Sequence, residues 1–281
     1  MTARKLTVGL MVLAGTAASA MADYSTGWEA PTFTGSAGGT QQFTPAGTSG
    51  PINGPDGWQY FGSGVNSNQA TVVSNAANAH SGSQYLRVAT ASFGNATSTS
   101  RTNFIYHTDS MTSAQMAATP ILSASVWVFA EGAAAARTTA SSIQLYNSAF
   151  GLVGIARLQS DGVFAFFNGA GQGIGLGGGS TNAWYKLGIQ ADFSTGLLSI
   201  FINDIDQTSV AVGGGWSNTF TPSDFEETDL GTSRFSGGTG TTSGNAWRYD
   251  DFSLSFSAIP APGSAALLGV GGVLAVRRRR A

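Results

Sequence analysis

Residues 122–130 alternate strictly. Leu122, Ala124, Val126 and Val128 fall on one side, and Ser123, Ser125, Trp127 and Phe129 on the other. That two-residue period belongs to a half-buried strand, whereas a helix would scatter the aliphatic residues around its axis. Shorter apolar or alternating segments recur along the chain at 70–74, 84–89, 102–107, 142–146, 153–158, 163–167, 184–193, 197–203 and 248–257. Turn residues separate them: Ser160-Asp161-Gly162 and Ser194-Thr195-Gly196 read as hairpin turns. One stretch, 110–118 with Met111, Ala114 and Met116, suits a helix. Helices do not alternate with strands, so a parallel α/β sheet is excluded and an antiparallel β-sandwich of jelly-roll type is expected. The glycine-rich 169–179 stretch reads as a loop; without a following Gly-Lys-Ser/Thr it is no phosphate loop.

The two ends do not belong to this body. Met1 to Lys5 carries Arg4 and Lys5, an apolar run follows to Ala18, and Ala20-Met21-Ala22 is a small-residue cleavage pattern. This is the layout of a secretory signal peptide over residues 1–22, a substrate for signal peptidase. At the other end, Pro260-Ala261-Pro262 stops the last strand, since proline cannot continue a ladder. An uncharged stretch 263–276 and Arg277, Arg278, Arg279 and Arg280 then follow. As a helix that stretch is about 21 Å long, short of the roughly 30 Å hydrocarbon core, with its arginines on the cytoplasmic side. The expected organisation is therefore signal peptide 1–22, one β-sandwich domain 23–258, and a short hydrophobic helix within a terminal segment 259–281.

Charge and cysteine content narrow the function. Six of the thirteen basic residues lie in the end segments and all fifteen acids lie between Asp23 and Asp251, so the body carries a net −8. Such a domain has no electrostatic footprint for nucleic acid. The chain has no cysteine, which removes disulfides, thiolate metal sites and cysteine nucleophiles.

The tail resembles the PEP-CTERM sorting signal of bacteria that make extracellular polysaccharide, with Ala261 where that family has Glu. The resemblance implies processing by an exosortase-type sorting enzyme and a C-terminal tail held in the membrane before it; the alternative is a plain, permanent C-terminal membrane anchor. The body is similar to exported carbohydrate-binding modules and laminin-G or concanavalin-like sandwiches. The pieces that carry this are Gly27-Trp28-Glu29, Asn53-Gly54-Pro55-Asp56-Gly57-Trp58, the segment from His80 to Val88, Trp184 to Leu187, Phe201-Ile202-Asn203-Asp204, and the closing Tyr249-Asp250-Asp251-Phe252.

Candidate sites follow from both readings. Glu29 near the first strand and Asp250 on the last come together if those strands pair. Carboxylates with backbone carbonyls make a calcium shell. The module resemblance implies that carbonyls of Ser81 and Gly82 complete it, giving structural Ca2+ at Glu29, Ser81, Gly82 and Asp250. Simple alternation turns Asp250 inward and Asp251 outward, and the alternative to calcium is a solvated edge or an ion pair with Arg87 or Arg248. Trp58, Trp216 and Trp247 follow glycine-rich loops and are the candidate sugar platforms, whereas Trp127 and Trp184 lie within strands and are expected in the core. Asn203-Asp204-Ile205-Asp206 reads as a hairpin turn. The glutamates Glu29, Glu131, Glu226 and Glu227 do not form the Glu-x-Asp-x-x-Glu pattern of concanavalin-fold glycosidases, and His80 and His107 belong to no zinc or triad motif. No catalytic residue is expected. The expected function is a non-enzymatic, exported cell-surface or matrix protein contacting extracellular polysaccharide. A structural or adhesion protein without a small ligand and a concanavalin-like glycoside hydrolase are the alternatives.

Overall fold

The computed structural model describes residues 23–37, 40–41, 55–62, 70–89, 100–131, 139–180, 182–235 and 246–258. The expected signal peptide and the sorting segment, with Pro260, Ala261, Pro262 and Arg277 to Arg280, lie outside the described residues. Strands β1 Tyr24–Thr26, β2 Thr40–Gln41, β3 Gln59–Gly62, β4 Ala70–Ser74, β5 Gln84–Ala89, β6 Ser100–Met111 and β7 Ile121–Ala130 come first. Then follow β8 Thr139–Tyr146, β9 Leu152–Gln159, β10 Phe164–Phe167, β11 Gly173–Leu176, β12 Trp184–Asp192 and β13 Leu197–Ile202. The last are β14 Ile205–Asp206, β15 Phe225–Phe235 and β16 Ala246–Ser257. Two short α-helices, α1 Ser113–Ala118 and α2 Thr208–Gly213, and a 3-10 turn at Pro55–Gly57 complete the described elements.

The strands form two antiparallel sheets, as the alternation requires. One has nine strands, ordered β14-β13-β12-β7-β16-β5-β4-β2, with β1 also paired to β16; the other has seven, ordered β11-β10-β9-β8-β15-β6-β3. First and last strands do pair, Tyr24 opposite Leu254 and Thr26 opposite Phe252. Between the sheets lies one apolar core. Leu122, Val126 and Val128 of β7 and Leu187 of β12 face Ile105 of β6, Ile143 and Leu145 of β8, and Leu230 of β15. Tyr249 crosses it: the side chain is fully buried and its hydroxyl donates to the Gly231 carbonyl of the other sheet.

Two local expectations are corrected. The helix begins at Ser113 rather than at 110, because β6 continues to Met111 and Thr112 caps α1 in a reciprocal capping box with Gln115. The 169–179 stretch holds a strand, β11, which adds to the edge of β10 through backbone bonds that need no side chains. Gly162 at the β9–β10 turn has φ +81, and a Cβ there would lie 2.3 Å from the Gly179 carbonyl oxygen, so glycine alone fits. The segment 225–235 carries no periodic apolar signal, yet β15 runs through the middle of the seven-stranded sheet between β8 and β6.

Candidate functional site

Residues that alternate with the core positions of the seven-stranded sheet form its outer face. Phe104 and Tyr106 on β6, Gln144 and Tyr146 on β8, and Glu227 and Asp229 on β15 line a cleft of 490 Å³, with Phe150 from the β8–β9 loop at its rim. Register aligns them: Asp229 lies opposite Tyr106 on one side and Gln144 on the other, and Glu227 lies opposite Tyr146. Glu227 and Asp229 are two residues apart, so they share this face, while Thr228 between them points into the sandwich and is fully buried. Phe150 is 74% exposed, at φ +56.

The charges that line the cleft are negative, although the Arg157 charge reaches its wall at Tyr146. Burial pushes the Glu227 carboxyl above its ordinary range and the neighbouring Glu226 charge adds to this. Asp229 is 3% exposed, and burial, with the Glu227 charge behind it, raises its carboxyl well above the ordinary range. Most of the nearby donors are already used. The Tyr106 hydroxyl donates to Gln59 Oε1 at 2.8 Å and the Tyr146 hydroxyl to Gln144 Oε1 at 2.8 Å. Gln144 Nε2 in turn donates to Ser142 Oγ at 2.8 Å. Asp229 Oδ1 accepts no hydrogen bond among the described residues. The full Glu-x-Asp-x-x-Glu pattern does not pick out this pair, since Thr232 stands where its last glutamate would be. The Glu-Thr-Asp alternation was the available signal.

The expected calcium residues are brought together at a second place. Glu29 Oε1 accepts from Ser83 N at 2.7 Å and Gln84 N at 2.8 Å, and its Oε2 from Ser83 Oγ at 2.7 Å. Asp250 Oδ2 accepts from His80 N at 2.9 Å and Ser81 N at 3.1 Å. Asp251 Oδ1 accepts from Ser81 Oγ at 2.6 Å, and its Oδ2 lies 2.7 Å from His80 Nδ1. Gly82, at φ +60, lets Glu29 approach: a Cβ there would lie 2.3 Å from Glu29 Oε1. Both aspartates reach one loop because the register of β16 against β7 shifts between Asp250 and Ser253, with Asp251 at φ +45. Simple alternation, which sent Asp251 outward, fails at this bulge. Burial pushes Asp250 up to about 7, with the Asp251 charge adding and the N–H donors opposing.

As a donor set, three carboxylates beside Gly27 suit a hard cation in kind. Their arrangement is another matter. Ser81 meets them through its N–H and hydroxyl, and among the described residues no group of three His, Cys, Asp or Glu side chains is placed to hold a metal ion. The geometry is a hydrogen-bond clamp on the 80–84 loop. Arg87 and Arg248 pair elsewhere, both with Glu131, at 2.9 and 2.7 Å.

The tryptophan expectations are reversed. Trp58, Trp216 and Trp247 are 0%, 3% and 1% exposed, packed in the core, and present no face to a ligand. Trp127 and Trp184 lie half-buried on the outer face of the nine-stranded sheet, where His80 stacks on Trp127 at 3.8 Å. A glycine-rich loop marks where the chain turns, not which face the next side chain takes. The Asn203-Asp204 turn is as expected: both residues have positive φ, 51° and 63°, as a two-residue hairpin turn demands.

No family model matches the chain, and no curated protein sequence matches it. Among solved structures it is similar in outline to an endo-1,3-beta-glucanase from Streptomyces sioyaensis, at 12% identity and TM-score 0.49, over 72% of this chain and 90% of that one. Alginate lyase A1-II′ of polysaccharide lyase family 7 is similar at 13% identity and TM-score 0.44, over 70% of this chain and 86% of that one. A sialidase is similar at 11% identity and TM-score 0.44; 71% of this chain is covered, and it spans only 17% of the sialidase chain. These likenesses concern the outline alone.

Proposed function

We propose that the chain is an exported surface or matrix protein that binds a glycan, without cleaving it, in the cleft on the outer face of the seven-stranded sheet. The observation that carries this is the lining. Phe104, Tyr106, Tyr146 and Phe150 supply apolar faces for a sugar ring, and Gln144, Glu227 and Asp229 supply polar groups for its hydroxyls. Export rests on the signal pattern at 1–22, and retention at the surface on the Pro260-Ala261-Pro262 tail with its arginines.

Affinity electrophoresis and calorimetry against a panel of soluble polysaccharides test the reading. Phe150→Ala and Tyr146→Ala are each expected to weaken binding about tenfold, the equivalent of ~1.4 kcal/mol. Binding unchanged in both variants would move the ligand elsewhere on the molecule.

One observation favours a second reading, a glycoside hydrolase. Glu227 and Asp229 are paired carboxylates on one face, with a backbone rise of about 6.7 Å between them. An acid–base pair works when its two environments push the groups apart. Here burial pushes both carboxyls in the same direction, upward, rather than apart, which is why binding is preferred. Release of reducing ends from a bound polysaccharide, lost in Asp229→Asn, would reverse that preference.

A further inference from the structure

Among the described residues the cleft offers more acceptors than donors, with the second N–H of Gln144 Nε2 left to give. Two carboxylates face it, and no ion pair among the described residues includes either of them. Glu226 adds a like charge behind Glu227. The two tyrosine hydroxyls on its walls have a single proton each, already given to Gln59 and Gln144. Asp229, 3% exposed, keeps Oδ1 without any donor among the described residues. Burying a carboxylate in this way is costly unless a proton or a cation joins it. The aromatic walls matter to which cation. A calcium ion asks for 6 to 8 oxygen ligands, more than two carboxylates beside four aromatic rings provide. An organic ammonium is satisfied by a few acceptors, is attracted to ring faces, and brings carbon to cover them.

We propose that this cleft selects a glycan with free amino groups, a hexosamine unit whose protonated primary amine donates to the carboxylates of Asp229 and Glu227. The assignment rests on the glycan-binding reading above and names its ligand class. It accounts for a pair of buried acids set among aromatic rings that enter no ion pair among the described residues. A hydroxyl in place of the amine has one proton to donate and no charge, so the second carboxylate would lack a donor and neither charge would be compensated. An N-acetyl group would replace the charge with a bulkier neutral amide.

The experiment is titration calorimetry of the full-length protein at pH 7, in a chelator, with three β-1,4-linked oligosaccharides of equal length: glucosamine, N-acetylglucosamine and glucose. The glucosamine oligomer is expected to bind at least tenfold more tightly than the other two. The margin should shrink in Asp229→Asn and in Glu227→Gln. These near-isosteric changes remove a buried charge, so melting temperature checks that the fold survives. Equal or tighter binding of the glucose or N-acetylglucosamine oligomer overturns the amine assignment while leaving the glycan reading standing. A margin unaltered in both variants overturns the assignment to these two carboxylates. Absence of glucosamine binding overturns the proposal outright, and binding of any neutral polysaccharide in the panel then decides whether the glycan reading falls with it.

Discussion

Gly82 shows how much one atom decides at the loop between β4 and β5. It adopts φ +60, and its missing Cβ leaves the space that the Glu29 carboxylate occupies. Gly82→Ala therefore meets two penalties: a left-handed backbone costing about 1–2 kcal/mol and displacement of Glu29 from Ser83 and Gln84. Denaturant unfolding is expected to show a loss at or above that backbone figure. A loss of only a few tenths would mean that the loop relaxes around the methyl. The same residue scale explains the tryptophan reversal. Trp58 packs against Trp28 at 5.1 Å and gives its ring N–H to the Tyr24 hydroxyl, a buried aromatic with its polar atom satisfied. Nothing in the preceding Asn53-Gly54-Pro55-Asp56-Gly57 distinguishes that environment from an exposed one.

At the scale of elements, two irregular strands hold the chemistry. β16 carries Asp250 and Asp251 onto one loop through its bulge, so a buried carboxyl that would repel its neighbour is held by backbone N–H groups. This has a consequence for pH. Asp250 in the fold sits near 7, above the ~3.9 of an unfolded aspartate. The folded state therefore holds the proton more tightly. Its contribution to stability is greatest below about pH 4, is lost as pH rises through the window, and is level above about pH 7. Melting measured in a chelator is expected to fall over that window, with one proton giving at most about 1.4 kcal/mol per pH unit. Asp250→Asn should flatten that part of the slope; an identical slope would assign it to Glu227 or Asp229, whose shifts run in the same direction. The same series in calcium tests the metal: a rise in Tm that Asp250→Asn abolishes would put a cation among these oxygens. β15 is the other case. Its Phe-Glu-Glu-Thr-Asp opening resembles a loop, because acids disfavour strands in isolation. It is a strand because β6 and β8 pair with it on both edges. The site was thus illegible for the reason the strand was: the alternation of Glu227 and Asp229 carries meaning only after 225–235 is known to be extended.

For the whole molecule, the relevant fact is a single apolar core shared by both sheets. It extends from Trp28 and Trp58 at one end to Leu198, Trp216 and Phe220 at the other. Such a body should unfold as one unit. Scanning calorimetry is expected to give a single transition with equal calorimetric and van't Hoff enthalpies, and two resolved transitions would show that the sheets or their ends unfold separately. The alternating segments, the turn residues between them and the absence of helix-period stretches were enough to determine an antiparallel sandwich, the inward face of β7 and most strand positions. They act over two to ten residues, which is the range of the pleat and of a hairpin turn. Only the tertiary structure decided which tryptophans are buried, that Glu29, Asp250 and Asp251 clamp one loop, and that β15 lies between β6 and β8 with two acids facing aromatic rings. Those outcomes depend on register and bulges between strands distant in sequence. Such pairings are fixed by burial of the whole core and not by any residue's neighbours in the chain.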